Sequence, residues 1–207
     1  MPEIHMSGGE IAVFAAAAAV SGVISGLLAG IFGIGGGAVL VPVFYQFLTA
    51  LGIDESVRMH LSVGTSLAII IPTSIRSFTA HRARGVVDMD LLKSFLLPVP
   101  AGVVVASLVA ASVSSGQLRA IFACIAVLVG LRLVFNRESW VVGREVPGNP
   151  WRAIVGFVIG LLSTLMGIGG GVMNNTFMTL YGRPIHQAVA TSSGVGVLIA
   201  IPGAVGM

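Results

Sequence analysis

The feature that most constrains this chain is a succession of apolar runs, each close to the length of a bilayer crossing. Residues 11–33, "IAVFAAAAAVSGVISGLLAGIFG", contain no charged side chain. A hydrocarbon core about 30 Å thick is crossed by roughly 20 such residues in a helix. Further runs at 36–51, 60–78, 91–113, 117–136, 151–167, 170–181 and 187–207 predict eight helical elements in all. Those at 36–51 and 170–181 are short, so half-helices or tilted spans are expected there.

Composition agrees. Only 9% of the 207 residues are charged and 56% are hydrophobic, whereas a soluble domain carries about 25% charge. The chain lacks enough polar residues to cover a water-facing surface and is expected to be an integral membrane protein. The short alternating segments of a β-barrel are missing. The opening "MPEIHMSGGE" has no basic region of the kind that precedes a cleaved signal, so 11–33 is read as a retained span. Cys124 stands alone in an apolar run, which excludes an internal disulfide and predicts a packed thiol. The basic residues lie in short loops and not in one stripe. They carry topology and give no nucleic-acid footprint.

Placing alternate loops on alternate sides puts nine Lys and Arg on one face and two, Arg58 and Arg119, on the other. The basic side is expected to be cytoplasmic, with the N-terminus outside.

Two strings repeat. "GIFGIGGGAVLVP" at 30–42 and "TLMGIGGGVMNNT" at 164–176 share Gly-Ile-Gly-Gly-Gly, and "HLSVGTS" at 60–66 matches "HQAVATS" at 186–192. The shared order predicts a duplication. The predicted topology gives the copies opposite orientation, the pattern of secondary transporters whose interrupted helices mark the substrate site. The organisation expected is a first repeat with a trailing span (1–113), a connecting span with a basic loop (114–150), and a second repeat (151–207). The chain ends inside the apolar "IPGAVGM", and the second half has no counterpart of 91–113, so a C-terminal span is expected to be missing.

Glycine permits unwound backbone and close approach. Broken backbone at membrane depth persists only against protein or a wet cavity. A helix that begins after such a break turns its free N–H groups and positive dipole end toward the cavity, favouring an anion. Close helix packing through small residues is the plainer use of such glycines, but a duplicated cluster favours the site. All eight acids fall in predicted loops or termini, which disfavours a metal or a carboxylate proton wire. The hydroxyls and amides near the motifs (Thr65, Ser66, Thr73, Ser74, Asn174, Asn175, Thr176, Thr191, Ser192 and Ser193) donate to oxyanions without burying charge. His60 and His186 stand at matching span starts and are candidates for proton coupling.

With "GIFGIGGGAVLVPVF", "VGTSLAIIIPTS" and "MGIGGGVMNNTFMTLYGRPIHQAVATSSGVGVLIAIPGAVG", the chain resembles the sulfite exporter TauE/SafE family of membrane transporters over nearly its whole length. The resemblance implies an all-α polytopic membrane protein of about eight transmembrane or half-membrane helices in two inverted repeats, in the bacterial inner membrane. It implies a secondary transporter that moves sulfite or an organosulfonate, generally outward. It also implies Gly33, Gly35, Gly36, Gly37, Thr65 and Ser66, with Gly167, Gly169, Gly170, Gly171, Thr191 and Ser192, as motif positions at the substrate, to which the residue reading adds Asn174 and Asn175. The second copy departs from the first, with Asn175 and Thr176 where Val41 and Pro42 align, so a symmetric site is not expected.

No cofactor is expected, and the expected partners are the lipid bilayer and a small anion; a homo-oligomer stays open. A passive anion channel is the alternative mechanism. Direct ATP hydrolysis would need a Gly-Lys-Ser/Thr loop, which the sequence lacks. An intramembrane hydrolase would need a nucleophile beside a base. Ser66 and His60 are separated by about 9 Å along a helix axis, so no enzyme is expected.

Overall fold

The computed structural model describes residues 37–135 and 146–207, together with 23, 26, 27 and 143. The predicted first span, 11–33, and Gly33, Gly35 and Gly36 of the first cluster lie outside these. The described residues form α1 (Gly37–Ala50), α2 (Glu55–Ala83), α3 (Met89–Ser94), α4 (Pro98–Ser112), α5 (Ser115–Phe135), α6 (Trp151–Leu165), α7 (Gly171–Leu180) and α8 (Ile185–Gly206), with no strand among them.

The apolar runs locate these helices to within a few residues, with two corrections. The run at 91–113 is two helices, because Pro98 and Pro100 lack N–H donors and a turn at 95–97 separates α3 from α4. The run at 60–78 extends to 29 residues, since polar ends continue the helix beyond its apolar centre. Asp54 starts it by accepting from the Ser56 N–H at 2.8 Å. Hydrogen bonding by Ser56, through its side chain first and its N–H second, holds this exposed carboxyl below the usual carboxylate range.

Among the described residues two helices, α2 and α8, are long and apolar enough to cross a membrane. α7, with 10 residues, is about 15 Å long and reaches only halfway. Packing centres on α8, which contacts α2, α4 and α7; α1 lies on α2, and α4 on α6. Large apolar side chains point outward from α4 (Val104, Leu108), α5 (Val127, Leu128) and α6 (Ile154, Val158), giving the apolar exterior expected of a chain solvated by lipid. Cys124 is on this exterior, exposed and not packed as expected. In lipid an apolar run need not face a core, so hydropathy alone did not locate it.

Loops that the charge count groups on one side lie together. Arg119 bonds Glu55 at 3.2 Å at the start of α2, and the Met59 N–H donates to Ser115 Oγ at 3.0 Å. At the other end of α2, Asp88 lies 3.8 Å from Arg183.

Candidate functional site

The second glycine cluster is a buried helix break. α6 ends at Leu165, and Gly167 then turns left-handed at φ +63°. Its N–H bonds Thr164 O at 2.9 Å and that of Ile168 bonds Ser163 O at 2.8 Å, the paired closure that suits glycine after a helix. Gly170, at φ +76°, caps α7, and the Asn174 N–H closes the first turn on Gly170 O at 3.0 Å. Residues 163–172 are all buried. The non-helical backbone is therefore enclosed by protein, as it must be at membrane depth.

The first cluster meets the second at Gly37. Gly37, the last glycine of its string, is the first described residue of α1, and α7 begins at Gly171. A Cβ on Gly37 would overlap the Gly167 carbonyl oxygen and stand 2.8 Å from Ile168 Cα. Gly167 leaves equally little room, since a Cβ there would be 2.7 Å from Val41 and 3.3 Å from Val63 Cα. Gly37 of α1 thus packs directly on the break that precedes α7. α1 then runs toward the end where Tyr45 meets Arg119, and α7 toward the end where Arg183 meets Asp88.

Around this junction α2 and α8 supply the polar groups. Ser66, fully buried, donates to Gly167 O at 2.8 Å across 101 residues of sequence. Gly196 of α8 backs onto Gly169, whose added Cβ would lie 3.6 Å from Gly196 Cα, and Ser74 Oγ lies 2.5 Å from a Cβ on Gly196. Ser192, one turn earlier, receives the Asn174 Nδ2 hydrogen bond at 2.8 Å and donates to Asn175 Oδ1 at 2.6 Å. The structure therefore gathers Gly37, Ser66, Gly167, Gly169, Gly170, Gly171, Asn174, Asn175 and Ser192.

It leaves others elsewhere. Thr65 is exposed. Thr191 accepts from the Asp88 N–H at 2.9 Å, joining the α2–α3 loop to α8. Thr73 and Ser193 bond carbonyls of their own helices. The histidines are not equivalent: His60 is in the second turn of α2, with Nε2 2.9 Å from Ala110 O, whereas His186 is exposed at the start of α8. They differ because the Asp54 cap starts α2 well before His60, while Pro184 starts α8 just before His186.

The four described acids of the helical region, Asp54, Glu55, Asp88 and Asp90, all sit at helix starts. Among the described residues no group of three His, Cys, Asp or Glu is placed to hold a metal.

One assembly escaped the sequence reading. Tyr45 of α1 lies between two guanidinium groups, Arg58 at 5.5 Å and Arg119 at 5.7 Å from its ring centroid. Arg119 also donates to its hydroxyl at 2.7 Å. A cavity of about 140 Å³ opens beside it, lined by Val41, Pro42, Tyr45, Met59, Arg119 and Phe122. The usable signal was the placement of Arg58 and Arg119 on the same side. Nothing in the sequence marked Tyr45 as their partner.

Removing the Ser66 hydroxyl tests how far this junction depends on its polar bond. Ser66→Ala strips the long-range donor from a buried carbonyl, a loss of about 1–3 kcal/mol. We expect a lower unfolding temperature in detergent, with Thr65→Ala on the exposed face unchanged.

The chain was compared with known proteins. Residues 18–207 match the family described as Sulfite exporter TauE/SafE. A "Probable membrane transporter protein" of Haemophilus influenzae is 32% identical, over 88% of this chain and 69% of its own. The "Probable membrane transporter protein YunE" of Bacillus subtilis is 29% identical, over 90% of this chain and 75% of its own. No solved structure matches. A family match that runs from residue 18 to the last residue takes in both glycine strings, both Thr-Ser motifs and every described helix, and so the chain belongs to the TauE/SafE sulfite exporter family of membrane transporters.

Proposed function

We propose that the protein is a secondary transporter that moves a small sulfur-containing anion, sulfite or an organosulfonate, outward across a bacterial inner membrane by alternating access. The observation that carries this reading is the start of α7 at a buried helix break, Gly167 to Gly170, against which Gly37 of α1 is packed. The N-terminus of α7 brings its positive dipole end to this place. The hydroxyls and amides there are neutral, and the described carboxylates lie at the ends of other helices. An anion is favoured by such a field and a cation is not. The glycine turns on either side of the break, at Gly167 and Gly170, supply the pivots about which short helices reorient.

Labelled sulfite flux in proteoliposomes tests the proposal. We expect slow, saturable movement that a second sulfur anion competes away. Unitary currents would instead identify a passive channel, and flux of cations alone would remove the anion site altogether.

A further inference from the structure

We propose that the cavity beside Tyr45 is a second oxyanion site, an antechamber between one face of the membrane and the break, with Arg119 as its anion-binding residue. Its part in transport rests on the function proposed above, whereas the site itself stands on its own geometry. The observation is a cavity with an arginine at its mouth and a floor that touches the break.

The floor is apolar and buried. Val41 and Met59 both line the cavity and are almost without exposure. Val41 also lies against Gly167, where its Cγ2 would be 2.7 Å from an added Cβ. Val63, about one turn beyond Met59 on α2, has its Cα 3.3 Å from the same point. At Val41 the wall between cavity and break is therefore one side chain thick. The 140 Å³ within is room for a small oxyanion with some of its water, since a water takes about 30 Å³ of liquid volume.

The mouth supplies the charge. Asp54, Glu55, Arg58 and Arg119 meet at this end of α2, and of these four only Arg119 lines the cavity. Asp54 is occupied by the Ser56 N–H at 2.8 Å, and Arg58 donates to Ile53 O at 2.6 and 3.1 Å. Arg119 spends one nitrogen, Nη1, on both the Tyr45 hydroxyl and Glu55. A guanidinium carries five N–H donors in a planar fork, so Nη2 and Nε are left for a ligand. That fork matches two oxygens of an oxyanion. The Glu55 pair does not bar the way: its side chains are 52% and 64% exposed, and ion pairs in water hold weakly. An anion entering the cavity thus meets a positive group and no lining carboxylate.

The test labels a cysteine placed in the cavity. Gln46 is exposed and lines it, so the labelled chain carries Gln46→Cys, with Cys124→Ala to remove the native thiol. In phosphatidylcholine proteoliposomes it reacts with anionic sulfonatoethyl methanethiosulfonate or cationic trimethylammonioethyl methanethiosulfonate. Each rate is divided by that of the same reagent with free mercaptoethanol. We expect the anionic reagent to be favoured about tenfold, because a focused positive field concentrates anions. Arg119→Gln should bring the two reagents to within about twofold, Glu55→Gln should raise the preference, and sulfite in the medium should slow the anionic reagent. Equal rates overturn the site, and so does a preference that survives Arg119→Gln. A loss in Glu55→Gln as large as that in Arg119→Gln also overturns it, since the ion pair would then be a strut. If phosphatidylglycerol in the vesicles erases the effect of Arg119→Gln, a lipid headgroup is the occupant and the free-anion site falls. Phe122→Cys on α5 repeats the measurement from a second lining residue and decides it if Gln46→Cys does not insert. Sulfite flux in the same vesicles separates the two proposals. Flux without the labelling preference leaves the transporter and removes the antechamber; the preference without flux leaves an anion site and removes its part in transport.

Discussion

Gly37→Ala is expected to abolish transport. The added methyl group would fall on the Gly167 carbonyl oxygen, with Ile168 Cα only 2.8 Å away, so every atom it meets is main chain. Side chains yield by changing rotamer, and backbone does not. Gly167 is held by its own N–H bond to Thr164, by the Ile168 N–H bond to Ser163, and by the Ser66 hydroxyl. α1 must therefore move bodily, at a cost of about 1–3 kcal/mol or more for forced overpacking. Gly130→Ala in α5 is the matched control, because an added methyl group there has nothing within 4 Å. It should transport normally and gain about 0.5–1 kcal/mol, as expected for replacing glycine inside a helix. Flux per inserted molecule measures both variants. Full transport by the Gly37 variant would show that α1 need not touch the second break.

The second large effect is at Gly170. Its φ of +76° strains any other residue, and a Cβ would stand 2.7 Å from Ile199 and 3.0 Å from Val195. Gly52 isolates the conformational part of that effect, since it sits at φ +71° with open space around it. Left-handed strain costs about 1–2 kcal/mol, and overpacking adds about 1–3 kcal/mol. Gly170→Ala should therefore destabilise by about 2–5 kcal/mol and Gly52→Ala by about 1–2 kcal/mol. Unfolding midpoints in detergent separate the two. Equal losses would mean that the α8 side chains give way and that the junction is looser than its contacts imply.

Much of the helix layout was legible because lipid imposes a simple rule: apolar length makes a helix, and glycine interrupts it. That rule put α7 at the end of its glycine string. It failed at 91–113, where Pro98 and Pro100 divide the run. It failed again for Cys124, because an apolar side chain in lipid is as well solvated outside as inside. The site was legible only in part. Ser66 and Ser192 occupy matching places in the motifs yet bond different partners, Gly167 O and Asn175 Oδ1. The Asn-Asn pair has no counterpart beside Val41 and Pro42 of the first copy, so an asymmetry visible in the sequence became an asymmetry of hydrogen bonding. Partners such as Asp88 for Thr191, or Tyr45 for Arg58, depend on tertiary placement that no local pattern encodes.

The contact between α4 and α6 limits how such a molecule can move. A methyl group on Gly102 would strike the Phe157 carbonyl oxygen, and one on Gly160 would strike that of Val99, so each helix presses a glycine into the other's main chain. Gly156 closes the same seam against Phe95, 2.8 Å from an added Cβ. Two rods notched together at three points cannot slide by a residue or roll without collision. They act as a single stiff beam, and the second break is fastened to its end. In the alternating access proposed above, the moving part would swing against that beam.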